Sequence, residues 1–327
     1  MKIGIISPSA GTMALYPKRA ERGVQWIKKQ GWDVSFGENA GGQCEYLSAS
    51  SDMRVSDIHK FLESDVDLIM ASIGGYNSNQ LLELLDYKKI SNSKKVFCGY
   101  SDVTALLLAI AIKGNVRCIY GPTFLPEICE YPEPYKYTVA KFLDVFQGKP
   151  IKFEPPELSV DEFVEWNEEE QGRCKVKQTR NNNGWMILQK GFAEGPMWGG
   201  NLQTLLWIIG TQYFPLSILD GSIFFFEDLE TNVAVLDAMM YSLKLRGVFE
   251  RIIGLIIGKF ASEKLNEQMC KLIPNIVDRA DIPIICNVDV GHVNPKISIP
   301  LGEVAILDVE RKIKWSTNGF LRRQHEQ

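Results

Sequence analysis

The chain has 327 residues and is 45% hydrophobic, enough apolar material for one large core or two moderate ones, and two domains suit that length better. Its 36 Lys+Arg against 40 Asp+Glu give a net charge of −4 with no basic run, which argues against a nucleic-acid polymer as partner but leaves room for a mononucleotide. Seven cysteines without a Cys-x-x-Cys pair read as reduced thiols, and three histidines supply a metal site poorly, so no metal or organic cofactor is expected.

The opening MKIGIISPSA runs straight into a strand over 2–7 and is too short in apolar residues for a signal peptide. No later run is long enough to span a bilayer, so a soluble, cytoplasmic protein with no membrane partner is expected. Helical spacing over 18–29, a short strand 33–36, a helix 56–63 and an apolar strand 66–72 follow. Then come Gly74 and Gly75, a helix predicted over 78–87, a strand 96–98, a helix to Lys113 and a strand 117–120. Apolar strands separated by helices predict a parallel, doubly wound sheet, whose ligands collect beyond the carboxyl ends of the strands.

A helix over 135–146 closes this half, a domain of residues 1–148. Residues 149–184, with Pro150, Pro155, Pro156 and the run Glu168 to Glu170, read as an exposed acidic connector whose charges are a solvated face. A second α/β domain, 185–327, is assigned helices over 201–209, 233–245 and 264–278, strands over 222–226, 252–257 and 283–288, and a hairpin from 304–309 and 312–315.

The segment VFCGYSDVTALLLAIAIK places one hydroxyl, Ser101, where a strand end meets a helix start. Free backbone N–H groups and the positive end of the helix dipole gather there, so an oxyanion formed beside Ser101 would be stabilised. Most serines before a helix are simple caps, and Val103 stands where the full nucleophile-elbow pattern has glycine. A serine nucleophile needs a base. His59 sits in a patterned surface segment and His325 in the terminal RRQHEQ, whereas His292 follows a strand in the loop NVDVGHVNPKISIPLG. Glu227 is the first carboxylate to emerge after the apolar run of GSIFFFEDLE and is preferred to Asp228 and Glu230 as partner of the imidazole. The Asp102 N–H is one candidate oxyanion donor. A second could come from SIGGYN, residues 72–77, where Gly74 and Gly75 let backbone approach a ligand, although such a pair is equally a plain turn.

The motifs PSAG, SIGGYNSNQLL, GYSDVTALLLA, YGP, GGNLQTL, FFFEDLE and GHVNPKISIPLG occur in this order over essentially the whole chain except the connector. Together they resemble the LD-carboxypeptidase family of serine peptidases, with SIGGYNSNQLL and GYSDVTALLLA most similar to its microcin C immunity protein branch. The resemblance implies a triad of Ser101, Glu227 and His292, a flavodoxin-like N-terminal domain with a C-terminal α/β domain rich in β-strand, and a cytoplasmic homodimer. It also implies an amide substrate, either a murein tetrapeptide or an aminoacyl-nucleotide, cleaved through an acyl-enzyme with the N–H groups of Asp102 and Gly75 holding the oxyanion. Gly74, Tyr76 and Asn77 are candidate substrate contacts. Trp185 and Trp198 are candidate stacking platforms for a base, Trp185 the better because its Asn-rich loop is polar, although tryptophan is as readily core packing. Asn201 either binds a substrate polar group or caps the helix after it.

Two other classes stay open on sequence grounds. One is a non-catalytic small-ligand or nucleotide-binding protein using Gly74, Gly75 and the helix start at Asp102. The other is a glycosidase using Glu227 and Glu230, which leaves Ser101 and His292 without roles.

Overall fold

Every residue of the strand Leu68–Ala71 and of the strand Val96–Gly99 is buried, as continuous apolar runs covered on both faces require. In the computed structural model, which describes residues 1–160, 165–260, 262–310 and 312–319, these are β3 and β4 of a six-stranded sheet. The chain order of this half is β1 (Lys2–Ile6), α1 (Pro17–Lys29), β2 (Asp33–Phe36), α2 (Ser51–Glu63), β3, α3 (Tyr87–Ser93), β4, α4 (Thr104–Lys113), β5 (Cys118–Tyr120) and α5 (Lys136–Phe146). The five strands pair in parallel in the order 2-1-3-4-5, the flavodoxin-like doubly wound arrangement. Residues 104–111 of α4 are all buried, which is why that helix is apolar on every side.

The second sheet has eight strands. The chain contributes β6 (Ile151–Phe153), a short ladder of β7 (Leu158–Ser159) with β8 (Arg180–Asn181), the helix α6 (Trp166–Glu170) between them, and β9 (Met186–Gln189). Then come β10 (Phe192–Asn201), α7 (Leu202–Ile208), β11 (Ile223–Glu227), α8 (Val233–Leu245), β12 (Gly254–Gly258), α9 (Glu263–Val277), β13 (Ile284–Val288), β14 (Ile299–Pro300), β15 (Val304–Asp308) and β16 (Lys314–Thr317). Strands β10 to β13 form a parallel centre, flanked by antiparallel β15, β16 and β6 on one side and β9 on the other. The predicted terminal hairpin is present as β15 with β16. Strand β14 leaves its own half and pairs with β5, adding an antiparallel edge to the first sheet.

Three expectations are corrected. Residues 78–87 are not one helix: a 3-10 turn, Ser78–Leu81, is followed by α3, which Asp86 caps by accepting the Lys89 N–H at 2.9 Å. The ten-residue strand β10 was absent from the prediction because its Gly and Pro content reads as turn. The acidic segment is not simply a wet surface. Glu169 is buried, its oxygens accepting two hydrogen bonds from Arg19 Nη1 at 2.6 and 2.7 Å, and it also pairs with Arg22. Glu170 accepts from the backbone N–H groups of Lys18 and Arg19, so α6 brings a carboxylate to the N-terminus of α1, whose first turn carries no acid of its own.

Candidate active site

Ser101 follows β4 in the left-handed region, at φ 64°, in a 3-10 turn that leads into α4. That conformation strains a residue with a Cβ by roughly 1 kcal/mol. Neighbouring hydrogen bonds hold it: Thr104 Oγ1 donates to the Ser101 carbonyl at 2.6 Å, and the Val103 N–H donates to the Tyr100 carbonyl. The Asp102 side chain turns away from Ser101 and accepts from the Ser9 hydroxyl and the Ser78 N–H, pinning the turn to its neighbours. Burial raises the pKa of Asp102, with Ser9 and Ser78 opposing that rise.

His292 lies in the loop after β13 and presents Nε2 to Ser101 Oγ at 3.0 Å. Its Nδ1 meets Glu227 Oε2 at 2.7 Å, and its backbone N–H donates to the same oxygen at 3.1 Å. Glu227 ends β11 and is fully buried. Burial pushes its pKa up, but the His292 imidazole, the Tyr120 hydroxyl and the His292 N–H outweigh burial and hold it below the usual carboxylate value. Ser101, Glu227 and His292 thus leave the carboxyl ends of β4, β11 and β13, two sheets contributing to one cleft. Of the other two carboxylates, Asp228 turns to accept the Gln203 and Glu230 N–H groups, and Glu230 accepts from Thr231 and Asn232.

Gly74 comes into contact with this turn. A Cβ at 74 would stand 2.7 Å from Ser101 Cβ and 2.9 Å from its Oγ, so only glycine lets that backbone pass. Gly75 follows at φ 131°, packed against Ala10. Tyr76 is exposed, its ring 6.4 Å from that of Trp207, and Asn77 donates to the Tyr46 hydroxyl at 2.6 Å.

Asn201 takes the capping role: its Oδ1 accepts from Thr204 N and Oγ1, and its Nδ2 lies 3.4 Å from Glu227 Oε1. Trp185 is part-buried, with its indole N–H donated to Asp289 Oδ2 at 2.9 Å and its ring 5.6 Å from that of Trp315. One edge is therefore committed to protein. Trp198 is buried in β10 and packs in the core. His59 is part-buried on α2 and its Nε2 accepts from the Asp86 N–H, and His325 lies outside the described residues.

Tyr120 escaped the residue-by-residue reading, although it closes a strand in the YGP motif. Its hydroxyl donates to Glu227 Oε1 at 2.6 Å and lies 3.4 Å from the Ser101 N–H, so one phenol joins the serine's turn to the buried carboxylate. Thr104 was also missed: it accepts the Asn201 N–H at 3.0 Å while holding Ser101, and so ties the two halves together.

The comparisons with known proteins agree with this architecture. Residues 3–121 match the LD-carboxypeptidase N-terminal domain and residues 194–307 the LD-carboxypeptidase C-terminal domain. The chain belongs to the LD-carboxypeptidase family of serine peptidases. It is 32% identical to the Microcin C7 self-immunity protein MccF of Escherichia coli, over 95% of this chain and 91% of that protein. It is 30% identical to a putative carboxypeptidase of Vibrio cholerae, over 94% and 92% of the two chains. The structure of MccF in complex with aspartyl sulfamoyl adenosine matches with a TM-score of 0.88 at 31% identity, covering 98% of this chain and 96% of that one.

Proposed function

We propose that the protein is a serine amidase in which Ser101 is the nucleophile, His292 its general base and Glu227 the carboxylate that orients His292. The observation that carries this reading is the unbroken chain of contacts, 3.0 Å from Ser101 to His292 and 2.7 Å from His292 to Glu227. In this reading His292 Nε2 takes the Ser101 proton as Oγ attacks the amide carbonyl, and the buried carboxylate stabilises the imidazolium. The oxyanion is held by the N–H of Asp102 and by that of Gly75, a role supported by the passage of the 74–75 backbone against Ser101. The imidazolium then protonates the leaving amine, and water activated by the same ring releases the acyl group.

For substrate we propose the amide of an aminoacyl-nucleotide, following the likeness to MccF and to its complex with aspartyl sulfamoyl adenosine. Terminal D-alanine release from a murein tetrapeptide is the second reading, favoured by the match of both halves to LD-carboxypeptidase domains. The two are separated by incubating the protein with a murein tetrapeptide and with an aminoacyl sulfamoyl adenosine side by side, measuring free D-alanine against free nucleotide. Nucleotide release is the expected result, and a protein active only on the tetrapeptide sinks the substrate assignment. Ser101→Ala is expected to abolish both activities with the fold intact. Parent-like turnover by that variant would instead favour a site without a serine nucleophile.

A further inference from the structure

Behind His292 lies a buried ion pair that the mechanism above does not use. Lys296 and Glu127 are 1% and 2% exposed, and Lys296 Nζ lies 2.6 Å from Glu127 Oε1. Glu127 is also the acceptor for the Tyr100 hydroxyl at 3.0 Å and for both the N–H and the hydroxyl of Thr123. The Lys296 ammonium stands 3.8 Å from the centre of the Tyr100 ring, and the same ring meets the His292 imidazole edge to face at 4.9 Å. Those two separations bound the ammonium within about 9 Å of the imidazole.

We propose that Lys296, tethered by Glu127 against the ring of Tyr100, is a positioning residue that keeps the His292 imidazole neutral at rest. The inference rests on His292 acting as the base for Ser101. A base bonded to a fully buried carboxylate faces a difficulty, because Glu227 draws a proton onto the ring and an imidazolium cannot accept one from Ser101. A fixed cation nearby opposes that protonation.

The other charged and titratable groups around the imidazole are committed elsewhere. Asp228 accepts backbone N–H groups, and Asp102 faces Ser9 and Ser78. Tyr120 donates to Glu227. On the loop of His292 itself, Asp289 is paired with Lys259. Lys177, whose field also reaches Lys296, is paired with Glu130. Burial lowers the pKa of Lys296, while Glu127 and Glu227 oppose that shift and favour the ammonium. The cation therefore feels the same carboxylate that orients His292.

The test reads the titration midpoint of the His292 imidazole by NMR, its resonances assigned by comparison with His292→Gln, alongside the acid limb of the pH–rate profile. Lys296→Met leaves Glu127 ionised among its remaining donors and is expected to move both upward by about one pH unit, a tenfold shift in the protonation equilibrium. Glu127→Gln leaves the cation without its partner and is expected to move both downward, which keeps the test available if Lys296→Met does not fold. A folded variant with no movement, or movement of the same sign in both variants, overturns the proposal. The two readings fail separately: parent-like activity in Ser101→Ala removes the base assignment, while the NMR midpoint still reports whether Lys296 acts on the imidazole.

Discussion

Gly291 and the carboxylate of Glu227 share a space that admits no side chain: a Cβ at 291 would lie 2.1 Å from Cγ, Cδ and Oε2 of Glu227. Gly291 also has φ 82°, where a Cβ is strained. The expected result for Gly291→Ala is therefore displacement of Glu227 or of the His292 loop. Activity should fall at least about a hundredfold, as it does when a reacting group is misplaced by about an ångström. Steady-state kinetics and a thermal melt measure the two consequences, and parent-like kinetics would contradict this account of the loop.

Glu227→Gln keeps the shape of the side chain but turns an acceptor toward His292 Nδ1 into an amide that favours the wrong tautomer. Loss of kcat by roughly 10⁴-fold is expected, with substrate binding little changed. The same variant carries a pH signature. The carboxyl of Glu227 is depressed in the folded protein, so its stabilisation is complete above the ordinary carboxylate range and is lost as pH falls through the folded value. Asp102 and Asp228 are shifted the opposite way by burial and contribute with the opposite sign. Urea midpoints measured from neutral pH to about pH 3 should show the parent losing ground relative to Glu227→Gln below about pH 4.5.

Tyr120→Phe removes the 2.6 Å donor to Glu227 and the acceptor near the Ser101 N–H while leaving the ring in place. The expected cost is about tenfold in kcat/KM, the worth of one hydrogen bond to a charged group, carried mainly in kcat. An unchanged kcat would show that the phenol merely fills space.

Glu169→Ala tests the connector. Arg19 is fully buried and would keep only the longer contact to Glu130, at 3.6 Å, and its bonds to the Leu125 and Pro126 carbonyls. Stability should fall by about 3 kcal/mol, as expected when one member of a buried pair is removed, measured by chemical denaturation. The activity of the protein that remains folded should be close to that of the parent, because α6 touches α1 and not the cleft.

The parallel sheet was legible because β3, β4 and α4 are apolar throughout, and burial on all sides leaves no other pattern available to them. The three residues that meet in the cleft were legible for a related reason: each is the first polar group after a buried strand. Strand β10 was not legible. Its Pro196 reads as a breaker, yet it lies one residue before the ladder to β11 begins at Met197, where a missing N–H breaks no pairing. Glu169 was misread because its partners, Arg19 and Arg22, lie about 150 positions away, and no local pattern reports a pairing of that range. Tyr120, Tyr100 and Lys296 were hidden likewise, since an aromatic or a lysine beside an apolar run announces its neighbours only after folding.

Strand β14 carries a consequence for how the chain can be divided. Its two residues cover β5, which would otherwise be the open rim of the first sheet, and they come from the far side of the His292 loop. A truncated polypeptide ending near residue 148 would present that rim bare and tend toward self-association. Supplying the remainder in trans should restore solubility and activity together, because the segment that seals the sheet is the one that delivers the imidazole.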